Sequence, residues 1–569
     1  MSKSSVTYGE DTVPVHPHAN KVVMLKTCLL LLAVNLIYFT QLVNIVGSGA
    51  LTQDVAAAVG GASTSIWYTQ VIAIFTVVLS IPVSQAADLW GRKVFLVSLT
   101  ACGCVGAIVV SRAVNASGAI AGFSITGISY GAQPLLHAIV SEVLARKYRP
   151  WAQASVNVSA SLGAICGLLV GGALTRYNNS SGFRIYWYMV AGIYAVTTVV
   201  CQLLYNPGPR ALQLELTTRE KVARLDWVGY AIFTPALVLF CMSLAWSQNP
   251  YPWSDAHVSA TFSIGLALAV ALVVYEWRGR RDGMFHHDLF AHRNFALALL
   301  CVFAEGVVFF CANNFFAYEV SVLFSTDSLV TGAHYCIAFV MFAVSAIFTG
   351  LWCSKRHTIR IPSVIAFASF VIFNVLMATV SSSTTESQIW GFPVFLGIGL
   401  GMCLTALITA AHFATPRELI AITSGLMISM RSLGGSVGLA IYNAVFSSGL
   451  SKNLGPEIAA AVLPKGFSPS DLPKLIPALM SHDDQALQGI PGATPEIIAS
   501  GYAGLREAYL LSFRYVWVTA GCISFAALIT SVFIQNPSEQ FNSEIDAPIV
   551  TEPTVIDPEE PKAQALHHE

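Results

Sequence analysis

"AADLWGRKV", residues 86–94, is a short polar break between two long apolar runs, 64–86 and 94–111. A chain that reverses within so few residues needs a position free of side-chain clash, and Gly91 supplies it. Arg92 and Lys93 place two cations at the reversal. Asp88 can cap the following helix or pair with a cation at neighbouring helix ends, holding that side shut. An ordinary solvated loop would carry the same residues. What surrounds the break decides between a local turn and a repeated architecture.

The surroundings are overwhelmingly apolar. The 569 residues are 55% hydrophobic and 11% charged, with a mean hydropathy of +0.64. A soluble protein of this length needs more charge to cover its surface. A bilayer core takes about 20 apolar residues per helix. Such runs occur at 28–48, 64–86, 94–111, 118–141, 154–174, 185–205, 227–246, 258–277, 296–320, 330–352, 361–380, 389–412, 420–448 and 511–534. These are spans one to fourteen. The polar N-terminus is too long for a signal n-region and no cleavage site follows the first run, so span one reads as retained. Net charge is −1 and no basic cluster suggests nucleic acid. The twelve cysteines lie in or beside apolar runs without a CxxC, as small apolar thiols packed among helices do.

Loop charge sets the orientation. With the N-terminus inside, loops after even-numbered spans hold seventeen basic residues and the short outer loops hold three, Arg112, Arg176 and Arg184. Cytoplasmic loops are the basic ones, so both termini are expected in the cytoplasm. The sequons at Asn115 and Asn178 fall on the outer side and are candidate glycosylation sites. Residues 1–27 then form a cytoplasmic tail, 28–205 a six-helix bundle, and 206–225 and 279–295 cytoplasmic linkers around an inserted pair at 226–278. A second six-helix bundle covers 296–535. Its outer loop, 449–510, reads either as short amphipathic helices capping the outer mouth or as a floppy spacer. Acidic, proline-bearing 536–569 is expected to be disordered cytoplasmic chain.

This pattern resembles the major facilitator superfamily, whose signature D-x-x-G-R-[RK] between spans two and three is matched by Asp88, Gly91, Arg92 and Lys93. Fourteen spans resemble its drug:proton antiporter branch, as do "RLDWVGY" (224–230), "DLFAHRNF" (288–295) and "SMRSLGGSVGLAIYN" (429–443). The run 131–172 looks closest to the fungal trichothecene efflux pump group, whose relatives include siderophore-iron transporters. The resemblance implies an all-α integral membrane fold of two pseudo-symmetric six-helix bundles plus two extra central helices. It also places Glu142 in the gate around Asp88; by helical spacing alone, Glu142 and Arg146 one turn further on read as a helix-end charge pair. Gly163, Gly167, Gly171 and Gly172 match the span-five glycines of the antiporter pattern, at a spacing that lets helices approach closely. With seven and eight as an inserted pair, span five corresponds to span thirteen with Gly434, Gly435 and Gly438. "WCSKRHTIR" (352–360) is a degraded counterpart of the opening motif. The sequence departs from the pattern at Leu168, where proline is usual, at Phe123, where arginine is usual, and in span one, which lacks the usual aspartate.

Ionisable residues at membrane depth are costly and default to a functional reading. Glu305 sits about nine residues into span nine, roughly 14 Å deep, and Arg431 is similarly deep in span thirteen. A structural ion pair and a proton-coupled switch built on the same two groups are both open. His137 and His412 are further intramembrane candidates, each equally readable as a hydrogen-bonded core histidine. Asn35, Tyr38, Gln41 and Asn44 recur near one face of span one and are expected to line a central cavity. In "FFCANNFFAYE" (309–319), Asn313 and Asn314 offer hydrogen bonds while Phe316 and its neighbours supply apolar walls, a mixture suited to a bulky, partly oxygenated molecule; aromatic packing against lipid reads the run equally well. "HHDLFAH" (286–292) invites a metal, but the resembling segment of the family holds none, and no metal or cofactor is expected. No phosphate loop and no nucleophile–base arrangement is present.

The sequence therefore predicts a non-enzymatic secondary transporter. It would export amphipathic toxins, drugs or secondary metabolites from the plasma membrane in exchange for protons, as a functional monomer whose partners are small molecule, protons and lipid bilayer. Uptake of siderophore–iron chelates, a vacuolar or vesicle location, and a non-transporting sensor are the competing expectations.

Overall fold

In lipid every backbone N–H and C=O must be satisfied within the chain, so uninterrupted apolar runs of this length fold as helices. The computed structural model describes residues 17–546 except 61–63, 179–181, 208–212, 215, 248–250, 280–282, 325–326 and 482–483. Among the described residues, thirteen helices are long and apolar enough to cross a membrane, by length and composition. Span four accounts for the difference from fourteen. It is broken into Ala116–Ile128, a 3-10 turn at Ser129–Ala132, and Gln133–Val143, with Pro134 in the first turn of the last piece. Proline has no N–H to continue the ladder, so a tightened turn intervenes. The only β-type pairing among the described residues is the isolated Ser247–Tyr251 bridge.

Two halves are built alike. Span one (Pro17–Ala50) crosses span five (Arg149–Asn178) so closely that a Cβ at Gly163 would collide with the Phe39 carbonyl oxygen. Span nine (Arg293–Cys311) crosses span thirteen (Ile420–Val462) in the same way, with Gly434 against the Phe303 carbonyl oxygen and Gly306 against that of Arg431. Glycine is required at these points because one helix's backbone occupies the place of the other's side chain. The remaining glycines of span five differ. Gly167 is snug, with Val43 O 3.2 Å from its added Cβ, Gly171 would meet only Leu51 side-chain carbons at 3.5 Å or more, and Gly172 borders a cavity.

The halves meet through two matching pairs, span two (Ile66–Trp90) on span thirteen and span five on span ten (Ser328–Arg356). The Ser429 hydroxyl donates to Val77 O at 2.8 Å in the first pair, and Gly350 lies against Ala154 and Pro150 in the second. The inserted helices Trp227–Trp246 and Ala256–Arg278 pack on each other and reach the bundle through the first, against spans two and thirteen.

Two expectations change here. The region 449–510 is neither a set of small cap helices alone nor a spacer. Span thirteen runs 43 residues, roughly 65 Å at 1.5 Å per residue, and the last helix, Pro495–Val532, runs 38. Both project past the bilayer thickness as a paired stalk, closed by Leu472–Met480 and Asp484–Gln488 around Ile458, Val462, Leu475, Leu479 and Ile497. The tail residues 536–546, expected to be loose, instead pack and hydrogen-bond against the bundle's loops. Residues 1–16 and 547–569 lie outside the described residues.

These contacts predict unequal tolerance within one helix face. Gly163→Ala should cost about 1–3 kcal/mol through overpacking, read as a lowered thermal midpoint in detergent. Gly171→Ala should be neutral or gain up to about 1 kcal/mol of helix propensity. Equal effects would disprove the backbone-contact account.

Candidate functional site

The loops after even-numbered spans lie at one end of the bundle, here termed the basic face. Gly91 there adopts φ +99°, reversing the chain between spans two and three. The reversal presents Arg92 to two carboxylates. Its guanidinium donates to Glu142 Oε2 at 2.5 Å and Oε1 at 2.8 Å, and to Asp88 Oδ1 at 3.0 Å. Arg92 is 4% exposed, so this cluster is desolvated and bidentate, the geometry in which an ion pair is strong. Lys93 leaves it and binds Gln202 O and Asn206 Oδ1. Arg146 also stands apart. Instead of pairing with Glu142 one turn away, it pairs with Asp546 and Glu544 of the C-terminal segment. Span four ends at Val143 and the chain turns before Arg146, which removes the helical register that would have joined them.

Further contacts across the halves seal this end. His412 is fully buried, with Nδ1 2.9 Å from Ser141 Oγ of the first half and Nε2 2.8 Å from Ser424 Oγ of its own. Arg149 donates to His412 O at 3.0 Å, and deeper in, Asn157 Nδ2 donates to Thr405 Oγ1 at 2.9 Å. His137 stays within its half, bound to Gln153 Oε1 at 2.7 Å.

Towards the opposite end the halves part around a cavity of about 680 Å³. Its walls come from the ends of spans one, five and nine, the middle of span thirteen and the beginnings of two and ten. Asn313, Asn314 and Asn443 contribute amides, Phe315, Tyr318 and Phe446 contribute rings, and Asp54 stands at the span-one end. Beyond Cys311 span nine continues through a π-helical turn at Ala312–Phe316 into Ala317–Leu323, and the extra residue in that turn re-aims side chains where the wall forms. Phe316 faces away, fully buried against Tyr335 at 5.5 Å.

Asn35, Tyr38, Gln41 and Asn44 do not line this cavity. They tie span one to the broken span four and to span five. Gln41 Nε2 donates to Ser129 O at 2.9 Å, Asn44 Nδ2 to Tyr130 Oη at 3.1 Å, Gln133 Nε2 to Tyr38 Oη at 3.1 Å and Asn35 Nδ2 to Ser155 Oγ at 3.3 Å. The stripe supplies partners exactly where the 3-10 turn interrupts the helix.

Below the cavity Arg431 grips Glu305 with two bonds, Nε to Oε2 at 2.7 Å and Nη2 to Oε1 at 3.0 Å, and lies 4.7 Å over the Phe309 ring. Glu305 is fully buried, while Arg431 also borders a small void between the halves with Tyr130 and Gln133. A buried carboxylate that sequence reading missed is Glu319, 1% exposed and accepting from Trp517 Nε1 at 2.6 Å. Its signal was present as a lone acid in the apolar run "FFAYEV".

Asn115 is exposed and caps its helix by accepting from Gly118 N at 2.8 Å. Asn178 ends span five, and nothing of its side chain is among the described features. No group of three or more His, Cys, Asp or Glu able to hold a metal occurs among the described residues.

A model of the Major Facilitator Superfamily matches residues 30–439. The chain belongs to this superfamily. It is 26% identical over 446 residues to the MFS-type efflux transporter ffsH of Aspergillus flavipes, covering 76% of this chain and 75% of that one. It is 23% identical over 473 residues to the trichothecene efflux pump TRI12 of Fusarium sporotrichioides, covering 79% and 76%. Among solved structures, the proton:xylose symporter XylE aligns over 93% of this chain and 98% of its own with TM-score 0.55 and 10% identity. A bacterial homologue of the lysosomal transporter Spinster, inward-facing, aligns over 90% and 98% with TM-score 0.54 and 14% identity. The all-α facilitator fold anticipated from the turn motif is thus the fold of this chain, a non-enzymatic, multi-pass membrane transporter of small molecules.

Within this facilitator, Arg92→Ala should leave Asp88 and Glu142 buried without their cation and cost about 3–5 kcal/mol. Thermal unfolding of purified protein reads this directly. A change within experimental error would mean the cluster is hydrated and structurally idle.

Proposed function

We propose that this transporter exports amphipathic, partly oxygenated organic molecules, such as toxins, drugs or secondary metabolites, across the plasma membrane in exchange for protons. It works as a monomer with both termini in the cytoplasm. The observation that carries the reading is the cavity of about 680 Å³ between the halves, closed by hydrogen bonds on the basic face and lined by amides and aromatic rings at the other end. A cavity that reaches one end while ion pairs close the other is one half of an alternating-access cycle. Its mixed walls suit cargo with both apolar bulk and oxygens. The efflux proteins among the relatives support the direction, and the basic loops support a cytoplasmic placing of the sealed face.

For coupling, the reading uses Glu305 and Arg431. Their pair lies about 12 Å along span nine from Asn313 at 1.5 Å per residue, beside the interface that must open. A proton on Glu305 would release Arg431 from its bidentate grip, and cargo and proton would then compete for the same conformational change.

Purified protein in proteoliposomes, offered labelled compounds at pH gradients of both signs, tests this. Export in exchange for protons predicts movement out of the cytoplasm-equivalent side that reverses with the gradient. Inward accumulation of ferric chelates with the proton gradient would instead establish uptake. Glu305→Gln should abolish the proton dependence of flux in protein that remains monodisperse, and undiminished dependence would sink the role. Asn313→Leu should raise the half-saturating concentration of an oxygenated cargo several-fold and leave that of an apolar analogue unchanged.

A further inference from the structure

The last helix does not release the chain into solvent. Gln535 and Asn294 exchange two hydrogen bonds of 2.9 Å, and Asn536 Oδ1 accepts from Thr358 Oγ1, Ile359 N and Arg360 N at 2.9–3.0 Å. Phe541 then stacks on His357 at 4.9 Å and packs edge-on to Phe413 at 4.7 Å. These contacts are to the second half, but within the same stretch Gln540 Oε1 already accepts from Arg146 Nη1 of the first half at 3.0 Å.

It next crosses to the first half. Arg146 N donates to Glu544 O and Lys147 N to Asn542 O, both at 2.9 Å. Asp546 ends the described chain with its side chain 2% exposed. Its carboxylate accepts from Arg146 Nη2 at 2.9 Å and Nε at 3.1 Å, lies 3.1 Å from Arg417 Nε, and pairs with Arg149. Glu544 pairs with Arg146 and Arg417. Arg146 and Arg149 follow span four, whereas Arg417 follows span twelve, so one carboxylate neutralises guanidinium groups from both halves. Without it Arg149, whose side chain is buried, would lose its ion-pair carboxylate, and Arg146 and Arg417 would share Glu544 alone, with cations of both halves left facing one another at the closed seam. Opening the basic face must separate Arg417 from Arg146 and Arg149, and Asp546 cannot stay with both.

We propose that Ser538–Asp546 is a strap that holds the basic face closed, with Asp546 as the positioning residue that acts through the three arginines. The strap favours the state whose cavity lies at the opposite end, and its release is a step in opening the basic face. This rests on the alternating-access reading above.

Hydrogen–deuterium exchange of the full chain in nanodiscs tests it without any cargo, comparing wild type with Asp546→Asn, Asp546→Glu and a chain stopped after Pro537. Expected for Asp546→Asn and the truncation is several-fold faster exchange at 151–160 and 405–416, coupled to slower exchange at the cavity end, 313–323 and 331–339. Asp546→Glu should restore the wild-type pattern. In flux assays the same two variants should show a several-fold lower half-saturating concentration for cargo presented at the basic face. Exchange that changes only at 146–147, where the strap's own backbone bonds are lost, would overturn the proposal. The coupled exchange pattern without flux of any compound would sustain the strap and overturn the transport reading instead.

Discussion

Apolar side chains gain nothing by leaving lipid for one another, so helices in a bilayer hold together by close packing and by polar contacts. In this facilitator the closest packing is a carbonyl oxygen of one helix seated where a glycine of its neighbour lacks a Cβ. Gly163 on Phe39 does this in the first half, and Gly434 on Phe303 with Gly306 on Arg431 does it in the second. These crossings fix spans one and five, and nine and thirteen, as rigid pairs. The rest of the molecule is arranged around them. Spans two and ten pack across the midline against spans thirteen and five, and the cavity lies where the four pairs diverge.

The same crossing positions the buried ion pair. Arg431 contributes its carbonyl oxygen to the contact with Gly306, and Gly306 adjoins Glu305, so the guanidinium meets the carboxylate with both bonds formed. A buried charge pair is tolerable in lipid only when both partners are held this well. At the basic face the solution is different. Arg92 pairs within the first half with Asp88 and Glu142, while the ion-pair partners of Arg146, Arg149 and Arg417 among the described residues are Glu544 and Asp546. The chain brings them from its own C-terminal segment.

How much of this was legible in the sequence follows from the range over which each signal acts. Span positions, the turn at Gly91 and the duplicated halves were readable because bilayer thickness, turn geometry and glycine spacing act over a few residues to a few dozen. Asn313 and Asn314 were read as candidate wall residues and both border the cavity between the halves, and Glu305 and Arg431 were named as possible partners. The polar stripe of span one was recognised as a face, yet periodicity gives a face without its neighbour. That neighbour was the broken middle of span four, whose interruption left only Pro134 as a mark. Arg146 was matched to Glu142 by helical spacing, but the helix ends between them and its partner lies 400 residues away. Residues 536–546 were expected to be disordered from their composition, because the cations that order them belong to distant loops.

The sequence by itself determined that this chain is a bundle of membrane-crossing helices in two related halves, with one face basic and several charges at membrane depth. Hydropathy, loop charge and local turn chemistry are properties of short segments and survive in the linear order. Only the tertiary structure decided which end is sealed, that Gly163 faces a backbone oxygen where Gly171 faces only side-chain carbons, and that Asp546 joins the halves. Each of these depends on which atoms of remote segments come within hydrogen-bond or van der Waals distance, and these distances exist only once the helices have packed.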